Sequence, residues 1–305
     1  MGRELPGHVP VLADEVVFVL RPGRSGWLVD GTVGVGGHAE ALLERAPAGS
    51  RLLGIDADPD ALARAESRLA RFGSRVELRR GSFRDIRTIA REAGVTEAET
   101  VLLDLGLSSF QLARSGRGFS FLADEPLDMR FDPSRGITAR ELLGSISETQ
   151  LSRILFEYGG EPHARGIARA IVSRRGRAPL ATTGDLVVTV KSAVPRARWP
   201  KRSHVATRTF QAIRMVVNDE IGALTTALPE AARLLASGGR LGVISFHSGE
   251  DRIVKRAFRS LSRQSWNEVT RSPVVPCREE RQANPRARSA KLRVIERAGE
   301  DHGAA

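Results

Sequence analysis

The stretch that decides the fold is Asp30-Gly31-Thr32-Val33-Gly34-Val35-Gly36-Gly37-His38. It follows the short apolar run 27–29 and leads into the helix-forming run 39–44, so it predicts a strand, a glycine-rich turn and the start of a helix. Glycines let the backbone turn tightly and approach a ligand closely, and the free N–H groups at a helix start attract an anionic group. The pattern indicates a nucleotide-cofactor site, although an ordinary tight turn would carry the same residues.

The segments after this turn alternate between apolar runs and helical patterns. Apolar runs at 51–56, 76–80 and 101–105 are separated by helical patterns. Together with 27–30 they predict four parallel strands of an open, doubly wound α/β sheet. Such sheets bind ligands beyond the carboxyl ends of their strands, and four side chains follow the strands at that edge: Asp30, Asp56, Phe83 and Asp104. We expect Asp56, about 20 residues past the glycines, to accept hydrogen bonds from ribose hydroxyls.

The alternation stops near residue 112. Mainly helical patterns and loops follow up to 208, then one long helical pattern from 207 to 235, and strands resume at 240–246 and 291–296. Strands on both sides of the break need one sheet to join. We therefore predict a discontinuous α/β domain, residues 1–111 and 209–305, with an inserted, mainly helical domain at 112–208.

The charge distribution suggests an anionic partner for the inserted domain. The chain has a formal net charge of +11, and the segment from 163 to 208 holds eleven cationic side chains against one acid, Asp185. Such a large local excess of positive charge favours binding of nucleic-acid phosphates over the alternative of a solvated basic face. The cations are Arg165, Arg169, Arg174, Arg175, Arg177, Lys191, Arg196, Arg198, Lys201, Arg202 and Arg208.

Several classes of protein and site are disfavoured. No apolar run is long enough to cross a bilayer, the N-terminus lacks the apolar core of a signal peptide, and the single cysteine, Cys277, cannot form an internal disulfide. We therefore expect a cytoplasmic protein without a membrane partner. No histidines or cysteines have metal-ligand spacing, so we expect no metal. A Gly-x-Ser-x-Gly elbow and a phosphate loop are both absent from the sequence, which disfavours hydrolases.

Two cofactors fit the glycine turn, a dinucleotide and S-adenosylmethionine. Gly34 and Gly36 match the dinucleotide fingerprint, and Ala39 occupies its third position as an allowed variant. The acidic Asp30 before the turn favours S-adenosylmethionine, because a carboxylate there would repel a pyrophosphate but suits an amino group.

Longer segments of the chain are specific enough to identify a family. They are His8-Val9-Pro10-Val11-Leu12, Asp30 to His38, Ile55-Asp56-Ala57-Asp58-Pro59, Asp104-Leu105-Gly106-Leu107-Ser108-Ser109, Arg117-Gly118-Phe119-Ser120-Phe121, Pro126-Leu127-Asp128-Met129-Arg130, Thr207-Arg208-Thr209-Phe210-Gln211-Ala212, Ser245-Phe246-His247-Ser248 and Asn284-Pro285-Arg286-Ala287-Arg288-Ser289-Ala290. In these motifs, nearly from end to end, the chain resembles the bacterial ribosomal RNA small-subunit methyltransferase H family, also called MraW. That family methylates the exocyclic N4 of a cytosine in 16S rRNA.

The resemblance implies a fold, a cofactor and a partner. The fold is a Rossmann-like S-adenosylmethionine-dependent methyltransferase sheet with an inserted helical domain for RNA, and the partner is 16S rRNA in the small ribosomal subunit. It also implies roles for the site residues. The methionine part of the cofactor lies against Gly36, Gly37 and His38. Its ribose lies against Asp56 and its adenine against Phe83, and Asp104 and Gln111 lie near its reacting end.

The amino nitrogen of cytosine is a poor nucleophile because its lone pair is delocalised into the ring. The site must therefore accept a hydrogen bond from the amino group and align it for transfer. Asp104 is the first candidate for this catalytic acceptor. A backbone carbonyl, Ser108 and His247 are alternatives, although a histidine at the position of His247 is also typical of a helix cap. A nicotinamide-dependent oxidoreductase and an RNA-binding assembly factor without catalysis are the rival functions.

Overall fold

The computed structural model describes residues 10–108, 111–112, 115–201, 203–263 and 266–299. His8, Val9, Ser109 and Arg202 of the sequence motifs and the basic segment lie outside these ranges. The chain divides into two compact units. A sheet unit contains the described residues up to Ser108 and from Gly222 onward, and a helical unit runs from 111 to Ile221.

A seven-stranded sheet with the order β3-β2-β1-β4-β5-β7-β6 forms the sheet unit. The first five strands pair in parallel, and β7 pairs antiparallel with both β5 and β6. The strand order reverses between β1 and β4, which is the switch point where doubly wound sheets bind ligands. The strands are β1 (Trp27–Asp30), β2 (Arg51–Asp56), β3 (Val76–Arg80), β4 (Ala98–Asp104), β5 (Leu235–Ser245), β6 (Trp266–Glu268) and β7 (Lys291–Arg297).

Helices cover both faces of this sheet. These helices are α1 (Ala13–Leu20), α2 (Gly37–Arg45), α3 (Pro59–Leu69), α4 (Ile86–Glu92), α10 (Glu220–Arg233), α11 (Ser248–Leu261) and α12 (Arg278–Ala283). Successive strand side chains point to opposite faces of the sheet. Leu28 and Leu52 therefore pack in one apolar cluster with α1, α2 and α3, while Val29 and Leu53 pack in another with α4, α10 and α11. The doubly wound α/β architecture predicted from the alternating pattern is therefore present.

The helical unit contains α5 (Ala139–Ser145), α6 (Glu148–Glu157), α7 (Ala164–Arg175), α8 (Thr183–Ala193) and α9 (Thr207–Val217). Reciprocal capping boxes start three of these helices, for example Thr182 with Asp185 at α8, and they satisfy the backbone N–H groups of the first turn. Helix α9 packs against α5 and α6. The helical unit consequently extends beyond residue 208, which the sequence pattern had suggested as its end.

The prediction of one helix from 207 to 235 is wrong, because the structure has two helices there. Helix α9 ends at Val217, and Asp219 has a positive φ of 45° that breaks the helix before α10. The amide of Asn218 accepts a hydrogen bond from the Phe131 N–H (2.7 Å) and donates one to the Met129 carbonyl (2.8 Å). A side chain that holds a distant loop in this way is a tertiary feature, so helical periodicity could not reveal the break. In the described part of the chain, every helix is too short or too polar to cross a membrane.

Candidate active site

Three carboxylates end three neighbouring strands of the sheet: Asp56 on β2, Asp30 on β1 and Asp104 on β4. Burial raises the pKa of Asp30 to about 7, and the charges of Asp104 and Asp56 add to this effect while His38 opposes it. Burial also raises the pKa of Asp56 to about 6 and the pKa of Asp104 above its usual range. Because burial makes these carboxylates hard to ionise, a cationic ligand would stabilise their charged forms, whereas a pyrophosphate would repel them.

The glycine turn leads from β1 into α2 and leaves space at Gly34. Gly34 and Gly36 have positive φ values of 52° and 84°, which side chains rarely tolerate. A Cβ on Gly34 would approach only the Thr32 carbonyl oxygen, at 3.8 Å, whereas a Cβ on Gly36 or Gly37 would lie 3.3 Å from Leu69 or Pro10, respectively. Gly36 and Gly37 are therefore closely packed, and the open side of the turn lies at Gly34.

The start of α2 supplies hydrogen-bond donors at this turn. Gly36 is the N-cap and provides no side-chain cap, so the first N–H groups of the helix lack the partners that later turns have. The Gly36 N–H itself donates to the Val33 carbonyl at 2.8 Å. Gly36 thus shapes the turn, while the N–H groups of Gly37 and His38 are placed to receive an anionic group such as the carboxylate of a methionine moiety.

Asp56 is held in a fixed orientation by the backbone. Its Oδ2 accepts a hydrogen bond from the Gly34 N–H (2.8 Å), and its Oδ1 accepts one from the Asp58 N–H (2.9 Å). Each carboxylate oxygen has further lone pairs, so Asp56 can accept additional hydrogen bonds without losing these two. This geometry suits a pair of ribose hydroxyls.

Asp104 lies beside His38. The Nδ1 atom of His38 is 3.4 Å from Oδ2 of Asp104, and Nε2 of the same ring is 2.8 Å from the Val11 carbonyl oxygen. A carbonyl oxygen only accepts, so the ring carries a proton on Nε2. The Asp104 N–H donates to the Thr32 hydroxyl at 2.6 Å, which fixes the backbone at the end of β4. The Oδ1 atom of Asp104 is buried and has no hydrogen-bond partner within the part of the chain that the structure describes.

Sequence reasoning missed three residues of this edge: Thr32, Val11 and Arg286. All three stand in the motifs quoted above, but no role is inferred for them from the sequence. The Arg286 guanidinium donates a hydrogen bond to the Leu107 carbonyl in the loop after β4, and its charge lowers the pKa of Asp104 against the effect of burial. Arg286 is separated from Asp104 by most of the chain, so only the folded sheet could reveal this proximity.

The other predicted residues are placed as follows. Phe83 opens a short 3-10 turn after β3, is half-buried and packs against the apolar cluster beneath α4. Gln111 belongs to the helical unit, so its participation in the cofactor pocket stays a prediction. His247 is the N-cap of α11: its Nδ1 accepts the Glu250 N–H at 3.3 Å, as the capping interpretation predicted. Within the described ranges, no three His, Cys, Asp or Glu side chains are grouped to hold a metal ion.

The chain is similar to known proteins over nearly its whole length. Residues 6–298 match the MraW methylase family. The chain is 46% identical over 307 residues to the ribosomal RNA small subunit methyltransferase H of Heliobacterium modesticaldum, covering 95% of this chain and 98% of that protein. It is 47% identical over 306 residues to the same enzyme of an Anaeromyxobacter strain, covering 95% and 97%.

Among solved structures, an rRNA methylase from Streptococcus thermophilus aligns with 94% of this chain and 93% of its own, at 12% identity and a TM-score of 0.43. The family match and the two relatives confirm the resemblance drawn from the sequence motifs, and with it a Rossmann-like methyltransferase that depends on S-adenosylmethionine. The chain belongs to the MraW methylase family.

Proposed function

We propose that this methylase transfers a methyl group from S-adenosylmethionine to the exocyclic N4 of a cytosine in 16S rRNA of the small ribosomal subunit. The observation that carries the proposal is Asp104 Oδ1, a buried carboxylate oxygen without a hydrogen-bond partner in the described ranges, at the switch point of the sheet. Buried polar atoms are almost always paired, so an orphaned acceptor at such a position suggests a donor that arrives with a ligand. The amino group of cytosine is a donor of this kind.

The residues at the sheet edge fit S-adenosylmethionine. The open space at Gly34, the N–H groups of Gly37 and His38, and the carboxylate of Asp56 suit its methionine and ribose parts. The raised pKa values of Asp30 and Asp56 indicate that a positively charged ligand is favoured there. When bound, the cofactor supplies an electrophilic methyl group on a positively charged sulfur.

Asp104 accepts the N4 hydrogen bond and orients the amino group. The ionised carboxylate draws the N4–H proton, which localises the nitrogen lone pair for bond formation. Burial raises the pKa of Asp104, and two neighbours oppose this effect, His38 with its Nδ1 at 3.4 Å and the Arg286 guanidinium. Both neighbours favour the ionised carboxylate, which is the form that takes the proton released by the amino group.

The helical unit supplies the RNA-binding surface in this proposal. Not every cation of the basic segment is available for phosphates, because Arg174 pairs with Asp185 at 2.6 Å and Arg175 donates to two backbone carbonyls. Arg196, Arg198 and Lys201 are exposed in the loop after α8, where they can contact RNA phosphates. A base in structured RNA must also leave its stack to reach the sheet edge, and contacts to flanking phosphates assist this step.

Transfer of a labelled methyl group tests the proposal. The protein and labelled S-adenosylmethionine are incubated with 16S rRNA and with small subunits, and the label is mapped by nuclease digestion and mass spectrometry. We expect one N4-methylated cytosine. An RNA-binding factor without catalysis would bind RNA and leave it unlabelled, and label on any atom other than cytosine N4 would overturn the proposed substrate.

A further inference from the structure

Two stacked rings lie at the surface of the helical unit. The phenyl ring of Phe121 and the imidazole ring of His204 are 4.6 Å apart between centroids, with an interplanar angle of 24°. Phe121 also contacts the ring of Phe210 edge-on, at 5.3 Å and 78°, and Phe210 is only 4% exposed. Phe121 is therefore held by a buried ring from α9, while both Phe121 and His204 are half-buried and keep some exposed surface. We call Phe121 and His204 the ring pair.

The ring pair differs from an ordinary core stack in the same unit. Phe119 stacks on Phe131 at 5.7 Å, and Phe119 is buried. Both stacks have comparable geometry, but only the ring pair keeps exposed surface on both of its members. Core packing alone therefore does not account for the ring pair.

The imidazole of His204 is set up as a neutral ring. Its Nδ1 accepts a hydrogen bond from the Ala206 N–H at 3.2 Å, so the ring proton is on Nε2. Burial and the nearby charge of Lys191 both lower the pKa of His204, which keeps the ring uncharged at neutral pH. A neutral imidazole offers a flat face for stacking together with an N–H donor.

The surroundings of the ring pair are apolar and strongly basic. Leu122, next to Phe121 in the chain, is 91% exposed. Lys191 lies 5.8 Å from the ring centroid of Trp199, whose indole N–H is anchored on the Val194 carbonyl at 3.0 Å. From 186 to 208 the sequence contains six lysines and arginines and no acid. Partly exposed aromatic rings beside a run of cations are the combination that binds single-stranded nucleic acid.

We propose that the ring pair is a stacking site for a nucleobase in a single-stranded part of the rRNA substrate. The proposal rests on the proposed function and adds the part of the substrate that this surface contacts. A base stacks on the ring pair, while Lys191 and the loop cations contact its phosphates. The ring pair therefore contributes affinity through stacking, which tolerates salt, and the cations contribute through charge, which salt screens.

Two variants and one matched control test the ring pair. Phe121→Leu keeps an apolar side chain on Phe210 but removes the ring face, and His204→Asn keeps an acceptor for the Ala206 N–H. Phe18→Leu makes the same change at an exposed phenylalanine on α1 of the sheet unit. Loss of base stacking weakens binding of a single-stranded oligoribonucleotide that spans the methylated cytosine by about 5- to 100-fold. The salt dependence of binding stays that of the wild-type protein, and Phe18→Leu binds normally.

An abasic scan of the same oligoribonucleotide gives a second measurement, made on the wild-type protein and on Phe121→Leu. We expect one abasic position to weaken wild-type binding strongly and Phe121→Leu binding little, because the variant has already lost that contact. Equal losses at all positions, or affinities of both ring-pair variants within about twofold of the wild-type value, would overturn the ring-pair proposal. Wild-type protein that shows the position-specific loss but transfers no methyl group would instead refute the proposed function and leave the ring pair standing.

Discussion

Replacing Asp30 with asparagine separates the stability of the sheet edge from its ability to bind a cation. Asp30 is 1% exposed, and burial raises its pKa from 3.8 to about 7. The folded protein therefore binds this proton more tightly than the unfolded chain, and the free energy of unfolding falls as the pH rises between these two values. Asparagine keeps an oxygen for the Thr32 N–H, which Asp30 Oδ1 accepts at 3.1 Å, and carries no charge.

The magnitude follows from the two pKa values. Relative to wild type, Asp30→Asn should gain about 2 kcal/mol of unfolding free energy at pH 5.5 and about 4 kcal/mol at pH 8. Urea unfolding followed by tryptophan fluorescence at both pH values measures the difference. An equal gain at both pH values would show that Asp30 does not titrate in this range. A variant less stable than wild type at pH 8 would show that the buried carboxylate does not destabilise the free protein.

The same substitution should weaken cofactor binding. Asp30→Asn removes a negative charge from the sheet edge, so we expect affinity for S-adenosylmethionine to fall by about tenfold or more. S-adenosylhomocysteine has the same amino group without the sulfonium charge, so it serves as the matched ligand. Calorimetry with both ligands measures the losses: similar losses would assign Asp30 to the amino group, a smaller loss for S-adenosylhomocysteine would assign it to the sulfonium, and unchanged affinity for both would contradict a role for Asp30 in binding.

Three further predictions address the ribose contact, the charge near Asp104 and the RNA surface. Asp56→Asn should weaken S-adenosylmethionine binding by about 10- to 100-fold in calorimetry, because it removes a charged acceptor, while circular dichroism stays that of the folded protein; unchanged affinity would remove Asp56 from the pocket. Arg286→Gln should move the acid limb of the pH–rate profile for methyl transfer to higher pH, because a neutral side chain no longer lowers the pKa of Asp104. Arg286→Lys should return the acid limb to its wild-type position. An unmoved acid limb in Arg286→Gln would assign Arg286 to packing alone. Charge reversal at Arg196 and Arg198 should reduce the slope of log affinity for RNA against log salt by about 1.4, and an unaltered slope would return these residues to a solvated face.

Local patterns in the sequence were sufficient to predict which residues lie along much of the sheet edge. Strand-ending carboxylates can be read from apolar runs, and a parallel sheet brings such ends together whatever the details of packing. Asp30, Asp56 and Asp104 were therefore predicted to share one edge, and they end three adjacent strands. The helix cap at His247 was also predicted from the sequence, because capping depends on residues that are close in the chain.

Contacts between segments that are distant in the chain could not be predicted from the sequence. The approach of His38 to Asp104 depends on the pairing of β1, which leads into α2, with β4. The contact of Arg286 with the loop after β4 depends on the return of β7 to the sheet. Charge counting also failed to distinguish structural arginines from available ones. Arg174 and Arg175 were counted in the basic segment, yet they pair with Asp185 and with backbone carbonyls within the helical unit.

The central claim is that Asp104 accepts the hydrogen bond from the reacting amino group. Single-turnover transfer of labelled methyl to 16S rRNA, with S-adenosylmethionine and RNA both saturating, measures this step apart from binding. We expect Asp104→Asn to slow transfer by about 10²- to 10⁴-fold, the usual contribution of a positioned acid or base. A single-turnover rate within about threefold of wild type would contradict the account and pass the acceptor role to Ser108 or a backbone carbonyl.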